Sequence, residues 1–212
     1  MPEVTKERLA LLERLLATGP LVIGEDHTQP HARYAIAKLI ERGAVKFLSL
    51  ESPIGPERIT RTDGQIVDVD SYFAGVTSMS NPMPMADLVR YAIDKQIAVY
   101  FHDIPTEKNP LNFIATQGKD MTAYPNYARA FLPTSIPNLP SREGAAAKLY
   151  VQRNEYTANY LQAKLGRGVR VLFGLVILAG ASHVRRSDCQ GQYERTLQGR
   201  LGISPSRAFI CE

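Results

Sequence analysis

The chain has 212 residues and a mass of 23.5 kDa, and 44% of its residues are apolar, a composition typical of one globular domain that buries its own core. Its longest apolar run, residues 171 to 181, is shorter than the roughly 20 residues that a membrane-spanning helix needs, and the apolar stretch at residues 9 to 17 lacks the flanks of a cleavable signal, so neither is expected. The formal net charge of +4 belongs to the last third of the chain, where the arginines are scattered, which argues against nucleic-acid binding.

Apolar residues at helical spacing alternate along the chain with short, wholly apolar runs, which predicts helices between buried parallel strands. In chain order the predicted elements are a helix at 9–16 capped by Thr5, a strand at 21–23, a helix at 36–40 ended by Gly43, a strand at 45–50, a helix at 85–93, a strand at 98–101, a helix at 145–165, a strand at 175–178, a helix at 193–201 and a strand at 208–211. The sequence therefore predicts one α/β domain over residues 1–212, with a mostly parallel sheet flanked by helices.

Two segments interrupt this alternation. Asp63-Gly64 is a dipeptide favoured at two-residue hairpin turns, and it predicts an inserted hairpin within residues 54–82. Prolines recur through residues 104–142, which predicts a long Pro-rich excursion with one short helix near Tyr127. Excursions of this length are typically lids or interaction surfaces.

Acidic and imidazole side chains follow four of the predicted strands at their carboxyl ends. In chain order they are Glu25, His27, Glu51, Asp103 and His183. Because open α/β sheets bind ligands outside the carboxyl ends of their strands, we expect these five side chains to line one pocket. Capping of the helices that follow is an alternative for Asp26 and Asp103 taken singly.

One arginine lies on the apolar side of a predicted helix. Arg153 is in helical phase with Leu149 and Leu161 rather than with the solvated residues of its helix. A buried guanidinium needs a counter-ion, so we expect Arg153 to pair with Glu25, Glu51 or Asp103 unless its long side chain reaches the surface.

The ordered motifs resemble the erythromycin-esterase/ChaN-like superfamily. The resemblance spans residues 20 to 201 and rests on Gly24-Glu25-Asp26-His27, Leu50-Glu51, Asp103, Arg153-Asn154 and Gly180-Ala181-Ser182-His183. This grouping includes macrolide esterases, ChaN haem-binding lipoproteins, the related TraB and Tiki proteases, and toxin or effector domains. The resemblance implies a hydrolase-like protein, of the virulence-effector or cell-death type, that is cytoplasmic or secreted into a host cell without a cleavable signal.

Three kinds of chemistry remain open at this pocket. In an esterase-like hydrolase, His27 is the general base that activates water, Glu25 or Glu51 orients its ring, and Arg153 and His183 stabilise the oxyanion. A divalent metal ion held by His27, His183, Glu25 and Glu51 is an alternative. Three carboxylates with one arginine favour that cation, whereas the arginine itself opposes it.

The third interpretation is a non-enzymatic protein whose partner is a small molecule, a host protein or, in a homo-oligomer, a second copy of the chain. Haem is disfavoured as its ligand, because no local tyrosine motif of the haem-binding branch is identified. Turnover of an ester would favour the enzyme, and an effect that survives loss of His27 would favour the interaction protein.

The cysteines are expected to be structural. Cys189 and Cys211 have no CxxC spacing and are predicted to be free thiols in a reducing compartment. Cys189 follows an arginine pair, which favours a lowered thiol pKa, but no acid or histidine partner stands at a recognisable spacing. We therefore expect function to depend on His27 and His183 more than on either cysteine, and His102 to be packed or at the surface.

Overall fold

The computed structural model describes residues 5–51, 58–59, 69, 81–102 and 142–211, without the side chains of 142–149, 152 and 167. Its strands are β1 (Leu21–Glu25), β2 (Phe47–Glu51), β3 (Arg58–Ile59), β4 (Ala98–His102), β5 (Leu175–Gly180) and β6 (Ala208–Cys211). They form one sheet in the order β3-β4-β2-β5-β1-β6, in which β3 is antiparallel at one edge and the other five are parallel. The predicted α/β fold with a mostly parallel sheet is confirmed.

Helices cover both faces of the sheet. They are α1 (Lys6–Leu16), α2 (His31–Glu41), α3 (Met85–Asp94), α4 (Arg142–Leu165), α5 (Ala181–Val184) and α6 (Leu197–Arg200), with 3-10 turns at Arg167–Val171, Tyr193–Arg195 and Pro205–Arg207. Helices α1, α2 and α3 pack on one face, which we call the first face, and α4, α5 and α6 pack on the second face.

Strand alternation divides the core between these two faces. Ile23 and Leu50 belong to the core of the first face, and Ile177 belongs to the core of the second. Glu25 stands two residues after Ile23 and therefore shares its side of the sheet, whereas Glu51 directly follows Leu50 and points to the opposite side. The two strand-end carboxylates are thus presented to different helical layers.

The local signals read from the sequence explain where the first two helices begin and end. Thr5 caps α1 by accepting a hydrogen bond at its hydroxyl from the backbone N–H of Arg8, 3.3 Å away. Gly43, just beyond α2, has φ of 72°, a left-handed conformation that glycine adopts without strain.

One predicted helix is wrong as a continuous element. Residues 193–201 form a 3-10 turn followed by the short α6, and they break at Thr196, whose backbone is extended with ψ of 161°. The Thr196 hydroxyl donates to the carbonyl of Tyr193 at 2.6 Å and accepts from the N–H of Gly199 at 3.2 Å. The Thr196 hydroxyl therefore bonds backbone groups on both sides of the break, and the 3-10 turn does not continue into α6 as one helix.

Both predicted insertions fall mainly outside the described residues. Of the segment 54–82, the short strand β3 pairs antiparallel with β4, and the turn at Asp63-Gly64 lies outside the described part. The excursion at 104–142, with its predicted helix near Tyr127, is outside it as well, apart from the first residue of α4. Within the described ranges, no helix is long and apolar enough to cross a membrane.

Candidate functional site

The candidate site lies at the carboxyl ends of three neighbouring strands. Strand β5 separates β1 from β2, so Gly180 at its end pairs with Glu25 on one side and lies beside Glu51 on the other. The chain leaves β1 towards α2 on the first face and leaves β5 into α5 on the second. Adjacent strands whose connections diverge in this way leave a crevice at their carboxyl ends, which is where open α/β sheets bind ligands.

On the first face, Glu25 is held by a guanidinium from α2. Glu25 is 2% exposed, and Arg33 donates from Nε to its Oε2 and from Nη2 to its Oε1, each at 2.8 Å. The remaining terminal nitrogen of Arg33 donates to the carbonyl of Met83 at 2.9 Å. This two-pronged, charge-assisted geometry is the strongest form of carboxylate binding that arginine offers, and it fixes the Glu25 carboxylate in position.

His27 uses the same carboxylate. Its Nδ1 lies 2.8 Å from Glu25 Oε1, so Nδ1 carries the donated proton and Nε2 becomes the free ring nitrogen. The hydrogen bond to Glu25 raises the pKa of His27 above 6.5, with a further contribution from Glu51, although burial acts in the opposite direction. The His27 side chain is 36% exposed, so the ring is both activated and accessible to solvent.

Gly180 brings His27 and Glu51 to a common point. A Cβ atom built on this glycine would lie 3.1 Å from His27 Nε2 and 3.4 Å from Glu51 Oε2. The backbone N–H of Gly180 also donates to Glu51 Oε2 at 2.6 Å. The absence of a side chain on Gly180 therefore lets the imidazole and the carboxylate approach the end of β5 more closely than a larger residue would allow.

On the second face, Glu51 binds a second arginine and a second histidine. Arg153 of α4 donates from Nη2 to Glu51 Oε1 in a short hydrogen bond, and His183 Nε2 lies 3.3 Å from the same oxygen. Burial on its own raises the pKa of Glu51, but His183 and Arg153 outweigh it and hold that pKa well below 4.5. The pairing predicted for Arg153 is confirmed, with Glu51 as its partner.

His183 is buried behind this pair. Its Nδ1 lies 2.6 Å from the side-chain oxygen of Asn154, the residue next to Arg153 on α4. The ring of Tyr150 meets the imidazole edge to face, with the centroids 5.2 Å apart. One stretch of α4 therefore contributes a packing wall, a counter-ion and a hydrogen-bond partner to the second face of the site.

Five of the six predicted site residues come together in this way: Glu25, His27, Glu51, Arg153 and His183. Asp103, the sixth, lies outside the described residues. Sequence reasoning missed Arg33, although Ile36 and Ile40 stand three and seven residues after it on the buried side of α2. The helical-phase argument applied to Arg153 applies to Arg33 equally well.

Arg33 changes the charge balance expected from the sequence. Among the described groups, two carboxylates face two guanidinium groups, so the pairs Glu25–Arg33 and Glu51–Arg153 are balanced without a cation. The described ranges also contain no cluster of three or more His, Cys, Asp or Glu side chains arranged to hold a metal ion. The metal site predicted from the sequence as an alternative needs four ligands, His27, His183, Glu25 and Glu51. These side chains are therefore not arranged to bind one metal ion together.

The other candidate side chains are buried or half-buried. His102 is buried with Nδ1 2.6 Å from the hydroxyl of Ser49, and burial lowers its pKa to about 3. Cys189 and Cys211 are free thiols, as predicted. Burial raises the pKa of Cys189 to about 11, the opposite of the lowering that the nearby arginine pair favoured.

The fold and the site define a parallel α/β protein with paired Glu, Arg and His clusters at the carboxyl edge of its sheet. Comparison with protein-family models, curated proteins and solved structures finds no match for this chain.

Proposed function

We propose that this chain is an esterase-like hydrolase in which His27 activates a water molecule for attack on an ester or acyl carbonyl. The observation that carries the proposal is the 2.8 Å contact of His27 Nδ1 with Glu25 Oε1, combined with a ring nitrogen, Nε2, that makes no hydrogen bond to the described residues. A carboxylate that orients an imidazole and raises its basicity is the standard arrangement of a general base.

The proposed reaction has two steps, and His27 carries the proton between them. His27 Nε2 takes one proton from water as the water oxygen bonds to the carbonyl carbon, whose oxygen becomes an oxyanion. The tetrahedral intermediate then collapses, the bond to the leaving oxygen breaks, and that oxygen takes the proton back from His27. Because Gly180 has no side chain, the His27 ring lies close to the end of β5 with Nε2 near Glu51.

In this proposal, side chains on the second face of the site stabilise the negative charge of the oxyanion. Arg153 supplies a fixed positive charge, and His183, when both of its ring nitrogens are protonated, supplies an N–H at Nε2 beside it. Both groups lie at Glu51 Oε1 in the resting structure. Donors held ready for a developing oxyanion typically contribute about 10²–10³-fold in rate each. Glu51 then serves to hold these two groups in place between turnovers.

The direct test is turnover of a panel of esters and phosphoesters by metal-free and metal-loaded samples of the full chain. We expect turnover without added metal, and a loss of about 10²–10⁴-fold in His27→Ala. His31→Ala is the matched control, because His31 begins α2 and is not part of the proposed machinery. Turnover that requires metal, or that is the same in His27→Ala and the wild type, would contradict the mechanism.

A second candidate, a ligand-binding or interaction protein with a host protein or a small molecule as partner, is favoured by a different observation. Both buried carboxylates are neutralised by arginines of the chain itself, as in a purely structural network. For this candidate we expect the biological effect to persist in folded His27→Ala and His183→Ala variants, with no turnover of any ester in the panel.

A further inference from the structure

The side chain of Asn154 is completely buried, and its contacts fix which way round its amide lies. Its Nδ2 is 3.2 Å from the carbonyl oxygen of His183 and 3.0 Å from that of Arg195. Carbonyl oxygens only accept hydrogen bonds, so the NH2 group must face them. The amide oxygen is thereby turned towards the His183 ring, 2.6 Å from Nδ1.

An amide oxygen also only accepts, which determines the proton on the ring. His183 Nδ1 must carry a hydrogen to form this contact, whatever the charge of the imidazole. The other ring nitrogen, Nε2, is buried, lies 3.3 Å from Glu51 Oε1 and makes no hydrogen bond. It can therefore donate to an oxygen only when the ring is protonated at both nitrogens.

We infer that Asn154 is a positioning residue that holds His183 with Nδ1 protonated and with Nε2 turned towards Glu51. Arg153 and Asn154 are neighbours on α4, so the same turn of helix aims both the guanidinium and the imidazole at one carboxylate. The part that this orientation plays in a reaction rests on the hydrolase proposed above, whereas the orientation itself does not.

The orientation is measurable without any substrate. The chain contains four histidines, so labelling with ¹⁵N-histidine and multiple-bond proton–nitrogen correlation spectra resolve each ring, and single His→Gln variants assign them. For the wild type we expect His183 Nδ1 to show a protonated-type signal. In Asn154→Leu, which removes the acceptor at similar size, we expect loss of this signature and a shift of the proton to Nε2.

One further variant serves as a control. Asn81→Leu removes an asparagine that, among the described residues, bonds backbone groups near the site. It donates to the carbonyls of His27 and Gln29 and accepts from the N–H of Met83. It is expected to leave the His183 signals unchanged.

Two results would overturn the inference. One is a bare Nδ1 on His183 in the wild type, a measurement that does not depend on whether any variant folds. The other is a folded Asn154→Leu variant whose His183 nitrogen signals match those of the wild type. The expected spectra together with no ester turnover would contradict the hydrolase and leave the positioning role supported, so the two failures are distinguishable.

Discussion

The two faces of the site use the same three residue types in different ways. Glu25 gives both oxygens to the two-pronged contact with Arg33 and shares one of them with His27, which remains 36% exposed. Glu51 shares one oxygen between Arg153 and the buried His183 and gives the other to a backbone N–H.

The difference lies in what each imidazole faces. The Nδ1 of His27 meets a carboxylate, which favours the protonated ring and strengthens its basicity, and the side chain is partly exposed to solvent. The Nδ1 of His183 meets a neutral amide oxygen, and its Nε2 is enclosed. Two clusters built from the same residue types can therefore have different roles. The first face offers a basic imidazole, His27, and the second face offers charged groups fixed around Glu51.

The largest expected effect is on the first face, where Arg33 is the main partner of a deeply buried carboxylate. Arg33→Met leaves Glu25 with His27 alone, and we expect the free energy of unfolding to fall by about 3–5 kcal/mol. Arg42→Met is the control, because Arg42 pairs with Glu13 at the surface, where such a pair contributes about 0–1 kcal/mol. Equal losses in the two variants, measured by denaturant unfolding, would contradict the role assigned to Arg33.

The corresponding change on the second face is expected to cost less. In Arg153→Leu, Glu51 keeps the N–H of Gly180 and the ring of His183, so we expect a loss of about 1–3 kcal/mol near neutral pH. The folded-state pKa of Glu51 lies below 4.5, so its contribution to stability is present above pH 4.5 and is lost as the pH falls through the folded pKa. The difference between variant and wild type should therefore shrink in acid, and a difference that grows there would be evidence against this pairing.

A histidine titration by NMR sharpens the comparison further. We expect His27 to titrate above pH 6.5 and His102 to stay neutral until about pH 3. Glu25→Gln should lower the pKa of His27 more than Glu51→Gln does, because the Glu25 hydrogen bond is the largest cause of the rise. The opposite order would assign the orienting carboxylate to Glu51.

The raised pKa of His27 determines how both stability and activity should change with pH. The His27–Glu25 contact stabilises the fold most below pH 6.5, and this contribution is lost as the pH rises through the folded pKa of His27. In the proposed hydrolase, neutral His27 is the base, so kcat/KM should increase with pH through a midpoint above 6.5.

Apolar runs in the sequence were enough to locate five of the strands and the polar residues at their ends, because buried parallel strands need such runs. Strand order was not predictable in this way. The insertion of β5 between β1 and β2 depends on contacts far apart in the chain, and it decides that His27 and Glu51 meet at Gly180. The break at Thr196 was missed because a single side-chain hydroxyl, rather than a change of hydrophobic period, ends the helix there.

The smallest effect is expected at Cys189, which touches the second face through Asn154. Its sulfur lies 3.4 Å from Asn154 Nδ2 and 3.4 Å from the carbonyl of Ser182, contacts that are weak because thiols are poor donors and acceptors. Cys189→Ala should therefore lower the free energy of unfolding by about 1 kcal/mol.

Turnover in Cys189→Ala should stay close to the wild-type value, because Asn154 keeps both of its carbonyl partners and its contact with His183. With a pKa of about 11, the thiol should also react slowly with alkylating reagents near neutral pH in the folded protein. His183→Ala provides the contrast, since it removes the ring that Asn154 orients. If Cys189→Ala stays folded yet loses turnover as completely as His183→Ala, the sulfur rather than the imidazole is essential, and the assignment of the second face is wrong.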